Sequence, residues 1–469
     1  MKKALFCMLS VVLILLSGCN SQQKNKVSKP NIIVILLDDA GYADFGFMGS
    51  KDLETPRIDE LAQKSTIFSD AHVTATVCAP SRAGLITGRY QQRFGSECNG
   101  TGVDMGVDPE ETSLADAMKS AGYKTIAIGK WHLGHTEEYL PNNRGFDEFY
   151  GFLGGSRSYF PLENPGPEQT LMDNTLAVEF SGYLTDVFGD KAVEYIEKYR
   201  DEPFFMYLAF NAVHTPMDAK QEHLEKYREH PRSKLAAMTW SLDENIGKVL
   251  DKINQEGLNQ NTMIWFLSDN GGANNNQSSN GQLKGWKGNK FEGGHRVPFM
   301  VSWPGQIKEN ALFDGLSSSL DIFATSIAAA GIENYEGKAL DGVDLLPYLR
   351  GEKDGDPHQS LYWRKDEAAA VRKNDFKIIR LKDYGYTMYN LASDPFEATD
   401  LSAKNTGVFE ELKTDLEGWE ENLISPLWVE EEEWTAITHE IHEALMENRT
   451  PLYSTPSQYF KYLDSRNTK

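Results

Sequence analysis

The sequence is short of cysteine, of positive charge and of long apolar runs, and each shortage narrows what the protein can be. Only four cysteines (Cys7, Cys19, Cys78 and Cys98) occur in 469 residues, too few for a small scaffold held together by disulfides. Lysine and arginine total 47 against 69 aspartates and glutamates, a formal net charge of −22. That balance excludes nucleic acid as a partner for the surface as a whole. A small anion can still be held inside a cleft, where the field depends on the residues lining it. No apolar run reaches the ~20 residues of a membrane-spanning helix, and no internal repeat or low-complexity block is visible. What remains is ordinary core-forming material, 40% hydrophobic and 11% aromatic, in a chain long enough for two or three domains of ~150 residues.

The apolar run Ala4 to Leu16, preceded by Lys2 and Lys3, fits a secretory signal peptide. Its end, Leu16-Ser17-Gly18-Cys19, resembles a bacterial lipoprotein box. That resemblance implies removal of residues 1–18, lipidation of Cys19 as a membrane anchor, and export to the outer membrane, cell surface or periplasm. Residues 19–30, polar and rich in Lys, Gln and Ser, read as a tether. No disulfide is expected between Cys78 and Cys98. Cys78 has a chemical use, and Cys98 reads as a small buried hydrophobe.

Asn31 to Leu37 is an unbroken aliphatic run, the pattern of a strand buried on both faces. Lys124 to Gly129, Phe204 to Phe210 and Met263 to Leu267 repeat it. Helical stretches lie between them at Ser113–Ala121, Asp190–Tyr199 and Ser233–Asn254. The alternation predicts an α/β domain over residues 31–350, built on a mostly parallel central sheet flanked by helices. Over residues 351–469 the pattern changes to short strands at Leu361–Arg364, Ala369–Arg372, Phe376–Leu381 and Tyr386–Leu391, then a helix from Phe409 to Glu421. This predicts a smaller C-terminal α+β domain with an antiparallel sheet. The tail around Glu430–Glu433 reads as a solvated acidic helix without chemistry.

In open α/β sheets, ligands sit beyond the carboxyl ends of the strands. After the four buried runs come Asp38 and Asp39, Lys130 and His132, Asn211 and His214, and Asp269 and Asn270. Asp38, Asp39, Asp269 and Asn270 offer hard oxygens, a set suited to calcium or magnesium. Grouped carboxylates repel each other unless a cation or a proton intervenes. In Cys78-Ala79-Pro80-Ser81-Arg82, Pro80 suits a first helical turn and Gly88 a terminator. Cys78 then sits at a helix N-terminus, with Arg82 one turn on along the same face. This is a nucleophile beside an anion site.

Cys78-Ala79-Pro80-Ser81-Arg82, continuing to Thr87-Gly88-Arg89, closely resembles the signature of type I, formylglycine-dependent sulfatases of the alkaline phosphatase superfamily. Asp38-Asp39, Gly129-Lys130-Trp131-His132, His214-Thr215-Pro216, Ser268-Asp269-Asn270-Gly271 and Lys287-Gly288 with Phe291-Glu292-Gly293-Gly294 resemble further family blocks, in family order. The resemblance implies an alkaline-phosphatase-like α/β fold and sulfuric ester hydrolysis. It also implies a maturating enzyme that converts Cys78 to Cα-formylglycine, whose hydrate is the nucleophile. One Ca2+ would be held by Asp38, Asp39, Asp269, Asn270 and residue 78. Arg82 would hold the hydrate, and Lys130, His132, His214 and Lys287 would surround the sulfate. Asp269 would accept the proton of the attacking hydroxyl, His214 with Lys287 would protonate the departing alcohol, and His132 would take the proton that frees sulfate.

Other residues carry narrower expectations. A sulfate-contacting serine sometimes follows the Gly145-Phe146-Asp147-Glu148-Phe149 element, and Ser156 and Ser158 both stand near it. His72 and His295 read as groups that pack or that support other site residues from behind, and His135 as a pocket-lining candidate. His439 and His442 are three apart and do not form a zinc pattern. The Asn/Gly/Ser-rich stretch Gly271–Gly285 reads as a loop at the pocket mouth, and Trp286 and Tyr159 as rings that either stack on sugar faces or serve the structure. The segment Gln91 to Asn99 resembles sulfatases of marine algal polysaccharides, which implies a sulfated glycan of ulvan or carrageenan type. Glycosaminoglycan is the alternative substrate. A phosphoesterase or phosphonate hydrolase is the alternative reaction, because phosphate and sulfate share a shape.

Overall fold

In Asn31–Leu37 all seven residues are buried, and alternation sends them to opposite sides. Ile33, Ile35 and Leu37 enter one apolar cluster, together with the helices Leu184–Lys198 and Ser233–Gln255. Ile32, Val34 and Leu36 enter a second, with the helices Cys78–Thr87, Leu114–Ser120 and Asp321–Ala329. A sheet covered on both faces follows from one strand's composition. The computed structural model describes residues 29–100, 105–365, 367–452 and 458. The expected signal peptide, Cys19 and nearly all of the tether lie outside the described residues.

Among those residues the main sheet has ten strands. Its centre is the order Thr262–Ser268, Asn31–Leu37, Phe204–Ala209, Lys124–Lys130, Glu148–Phe152, all parallel. Phe299–Ser302 joins antiparallel beside Thr262–Ser268. The expected α/β class with a mostly parallel sheet is what is found. The helix expected from Asp190 begins earlier, at Leu184, because Leu184 and Phe188 extend its buried face.

A separate antiparallel sheet runs Ser360–Lys365, Ala368–Lys373, Phe376–Leu381, Gly385–Asn390. The helix Thr406–Glu420 packs Leu412 and Leu416 with Ala369, Val371 and Ile378. On the other face the helix Glu432–Met446 packs Ile437, Ile441 and Leu445 with Ala368, Ala370 and Ile379. The tail is therefore not a solvated helix. Its apolar residues recur four apart and form a buried stripe, which the four preceding glutamates obscure in the sequence.

Buried charge joins this sheet to the main domain. Lys377 Nζ lies 2.9 Å from both Glu292 and Glu397, and the His295 ring stacks on Trp363 with centroids 3.9 Å apart. His72 Nδ1 is 3.0 Å from His295 Nδ1, and both rings are fully buried beside Glu292. The Lys290 N–H donates to His442 Nε2 at 3.0 Å, which leaves the Nδ1 proton to donate to Thr438 O at 2.6 Å. Burial, then the Lys290 charge, push the His442 imidazole from 6.5 down to about 3. The unfolded chain binds this proton first, so His442 should remove stability as pH falls from 6.5 towards 3. Melting temperature measured across that range should fall less steeply in His442→Gln, which keeps an acceptor without titrating; equal slopes would contradict the assignment.

Candidate active site

The four central parallel strands end at one edge, and backbone hydrogen bonds continue past their ends. The Asp38 N–H donates to Ala212 O (3.0 Å), Val213 N–H to Asp38 O (2.8 Å) and Asp269 N–H to Leu37 O (2.9 Å). Three chemically distinct loops are thereby held in register. Gly129 has φ +103°, and a Cβ there would stand 1.9 Å from Ala209 O, so only glycine lets the strand carrying Lys130 lie this close. Asp39 and His132 also adopt positive φ, 62° and 56°, conformations uncommon outside glycine. They mark the sharp turns that follow their strands.

The helix Cys78–Thr87 begins at Cys78 and stops at Gly88 in the left-handed region. One turn in from Cys78, Arg82 is fully buried. Its Nε donates to Asp269 Oδ2 at 2.9 Å and its Nη1 to Lys130 O at 3.0 Å, while Nη2 lies 3.7 Å from Asp38 Oδ1. Arg82 thus braces three strand ends from beneath. Above it, Cys78 Sγ lies 3.5 Å from Asp38 Oδ1 and 3.9 Å from Asp39 Oδ1. Lys130 Nζ donates to Asp38 Oδ2 at 2.8 Å. Lys287 Nζ reaches Asp39 Oδ1 at 2.6 Å and Cys78 Sγ at 3.1 Å. His214 donates from Nδ1 to its neighbour Thr215 O at 2.6 Å, and its Nε2 stands 3.6 Å from Asp39 Oδ2.

Burial and charge compete throughout this cluster. Burial raises the Asp38 carboxyl, but Lys130, His214, Arg82 and Lys287 outweigh it and hold the group well below the usual carboxylate range. Burial, followed by the Asp38 charge, pushes Asp269 up to about 6. Burial and then Asp269 push the Cys78 thiol up to about 12, so an unmodified cysteine is protonated and inert at neutral pH. Burial with Lys130 and Arg82 holds His132 well below 6.5. Its imidazole is therefore neutral at neutral pH. Burial also lowers His214, with Asp38 and Asp39 pulling the other way.

The donors fit a hard divalent cation. Ligand atoms of Asp38, Asp39, Cys78 and His214 all lie within 4.8 Å of one another. The Asn270 amide donates to Asp39 Oδ1 at 2.8 Å, while its own buried Oδ1 accepts no hydrogen bond. An unpartnered buried oxygen beside crowded carboxylates is the environment a calcium-type ion satisfies.

A cavity of about 350 Å³ opens over this cluster. Asp39, His214 and Lys287 line it, with Asn274 and Asn275 from the expected mouth loop and the half-buried Trp286. Tyr159 takes the structural one of its two readings, and the acidic tail departs from its expectation. Tyr159 is fully buried and its hydroxyl hydrogen-bonds Asn211 O and His214 O, so it props the His214 loop and stacks on no sugar. The Ser156 hydroxyl donates to Thr215 O at 2.9 Å and Ser158 to Asp218 Oδ2 at 3.0 Å; both pin that same loop. The acidic tail, assigned no chemistry from sequence, supplies a wall through Glu430, Glu431, Trp434 and His442. No motif marks these residues, because only tertiary packing brings them to the pocket. His135 lines a small separate cavity behind His132.

Comparison with known proteins bears on this geometry. A family model described as Sulfatase matches residues 30–332, and one described as N-sulphoglucosamine sulphohydrolase, C-terminal, matches residues 285–422. The uncharacterized sulfatase YdeN of Escherichia coli (strain K12) is 33% identical over 391 residues, 71% of this chain and 68% of that one. The N-acetylgalactosamine-6-sulfatase of Mus musculus is 31% identical over 395 residues, 78% and 75% of the two chains. The solved structure of Ps i-CgsB in complex with k-i-k-neocarrahexaose has a TM-score of 0.83 at 36% identity and covers 87% of this chain and 96% of that one. The phosphonate monoester hydrolase of Agrobacterium radiobacter shares the fold, with a TM-score of 0.64 at 18% identity over 84% and 96% of the chains.

A cation that binds only the folded chain adds about 2.7 kcal/mol of stability at a hundred times its dissociation constant. Added Ca2+ should therefore raise the melting temperature of chelator-treated protein. Asp38→Asn should abolish that rise, whatever its own baseline, and an undiminished rise would place the ion elsewhere.

Proposed function

The chain belongs to the sulfatase family and is a sulfuric ester hydrolase, and from that premise we propose that it removes sulfate from a sulfated carbohydrate. Its preferred substrate is an algal polysaccharide, or its oligosaccharides, of ulvan or carrageenan type. The observation that carries the catalytic reading is the contact set of residue 78, which lies beside two carboxylates and the Lys287 ammonium on a buried arginine brace. The substrate reading draws support from the carrageenan-type hexaose held by a structural neighbour at 36% identity. The N-acetylgalactosamine-6-sulfatase relative supports a glycosaminoglycan as the second reading.

The cation in this proposal is Ca2+, held by Asp38, Asp39, Asp269, Asn270 and residue 78; when bound it draws charge off the sulfate oxygens. Oxidised by a maturating enzyme to formylglycine, residue 78 supplies a hydrated aldehyde as nucleophile, a use consistent with a thiol too basic to ionise. Lys130 and Lys287 orient the sulfate. Asp269 accepts the proton of the attacking hydroxyl. His132 is a neutral base for the second proton transfer. His214 presents Nε2 to the site and protonates the departing alcohol oxygen, its protonated form favoured by the arriving anion. The lipid anchor on Cys19 and an exported location belong to the same proposal.

Mass spectrometry of the peptide containing residue 78 should find the aldehyde in protein made with a maturating enzyme; an intact thiol in active protein would end the nucleophile assignment. Sulfate release should exceed phosphate release from matched esters, and the reverse would favour the phosphoesterase alternative. His214→Ala should lower kcat/KM on sugar sulfates by about 10²-fold or more and affect 4-nitrophenyl sulfate far less, because an activated phenolate leaves without a proton. Equal losses would contradict the acid role.

A further inference from the structure

The cavity has two chemically different ends. At its floor stand Lys287 and His214. Its outer wall is the loop and helix start from Val429 to Trp434, which the reaction at the floor does not use. Val429 is 74% exposed and Trp434 39%, and Leu427 just before them is 64% exposed. A concentration of exposed apolar side chains at the lip of a polar cavity is a feature of binding surfaces. Interleaved with it are carboxylates. Glu430 is ion-paired with Lys365, whereas Glu431 is exposed, and its carbonyl accepts the Trp434 N–H at 3.0 Å. Glu432 and Glu433 follow in the first helical turn.

An indole beside carboxylates suits an uncharged sugar ring. The C–H face of a pyranose packs on the aromatic face while its hydroxyls donate to the carboxylate oxygens. A sulfate in the same place would meet the Glu431 carboxylate, while the cation lining the lip, Lys365, is already engaged by Glu430. Resting on the sulfatase reading above, we propose that Trp434, Glu430 and Glu431 form a subsite for the sugar adjoining the one that loses sulfate, and that this subsite selects against a sulfate on that neighbour. The pocket thus reads a charge pattern, with an anion at the floor and a neutral ring at the lip.

The test uses mature enzyme and two oligosaccharides of identical sugars, one sulfated only on the reacting unit and one also on its neighbour. Wild type should favour the first in kcat/KM. Glu431→Gln, at an exposed position where folding is not at stake, should narrow that preference by about threefold to tenfold, the effect of one like charge removed at close range in a wet site. Trp434→Ala should raise KM for the singly sulfated oligosaccharide by about fivefold to tenfold with kcat nearly kept. The loss should be larger there than on 4-nitrophenyl sulfate, which is too short to reach the lip, and Trp434→Phe should recover part of it. An unchanged charge preference in Glu431→Gln, or equal losses on the glycan and the aryl sulfate in Trp434→Ala, would overturn the subsite while leaving the sulfatase reading intact. Absence of sulfate release from every ester would overturn both.

Discussion

The arrangement rests on one buried guanidinium. Arg82 donates to Asp269 and to the carbonyl of Lys130 and lies near Asp38, so a single side chain touches the ends of three strands that are far apart in sequence. A buried arginine is tolerable only when its donors find anions or carbonyls in fixed geometry. Here that requirement runs in both directions. The strand ends need the arginine to stay together, and the arginine needs them to stay buried. Its place four residues after Cys78 on one helix then fixes where residue 78 stands relative to the carboxylates. The spacing Cys-x-Pro-x-Arg is thus a structural ruler as well as a chemical label.

The sequence revealed the sheet and the site floor well because both depend on local signals. Asn31–Leu37 declares a buried strand by composition, and the residues that follow such strands are placed by the parallel topology itself. The turns were less legible. Gly129 looks like any glycine until Ala209 O is seen where its Cβ would be, and the positive φ of Asp39 and His132 leaves no compositional trace. Tyr159 is a case where composition alone could not choose between two roles. An aromatic near a pocket suggests a sugar platform, yet two carbonyls of the His214 loop capture its hydroxyl and bury the ring.

The C-terminal wall was misread for a physical reason. Glu430–Glu433 dominates its segment, and four consecutive carboxylates ordinarily mean solvent. The stripe that decides the matter, Ile437, Ile441 and Leu445 with Met446 beside it, comes after the charges. It buries against a sheet of four consecutive strands that lies some way earlier in the chain. Carboxylates at the start of a helix are favoured by its dipole, so the acidic run is compatible with a docked helix. Docking then carries the glutamates to the lip of the cavity, where their charge faces whatever enters.

Charge balance at the floor bears on how an acidic protein holds an anion. Arg82, Lys130 and Lys287 face Asp38, Asp39 and Asp269 at contact distance, so the three cations and three carboxylates nearly cancel. By itself such a floor has little net attraction for sulfate, and the −22 of the whole chain opposes approach at low salt. At physiological ionic strength the distant charges are screened beyond about 8 Å, leaving the local balance to decide. A divalent cation held by these carboxylates would tip that balance positive, and would compete with Lys130 and Lys287 for their carboxylate partners. Such a cation would set the sign of the pocket before it took any part in the chemistry.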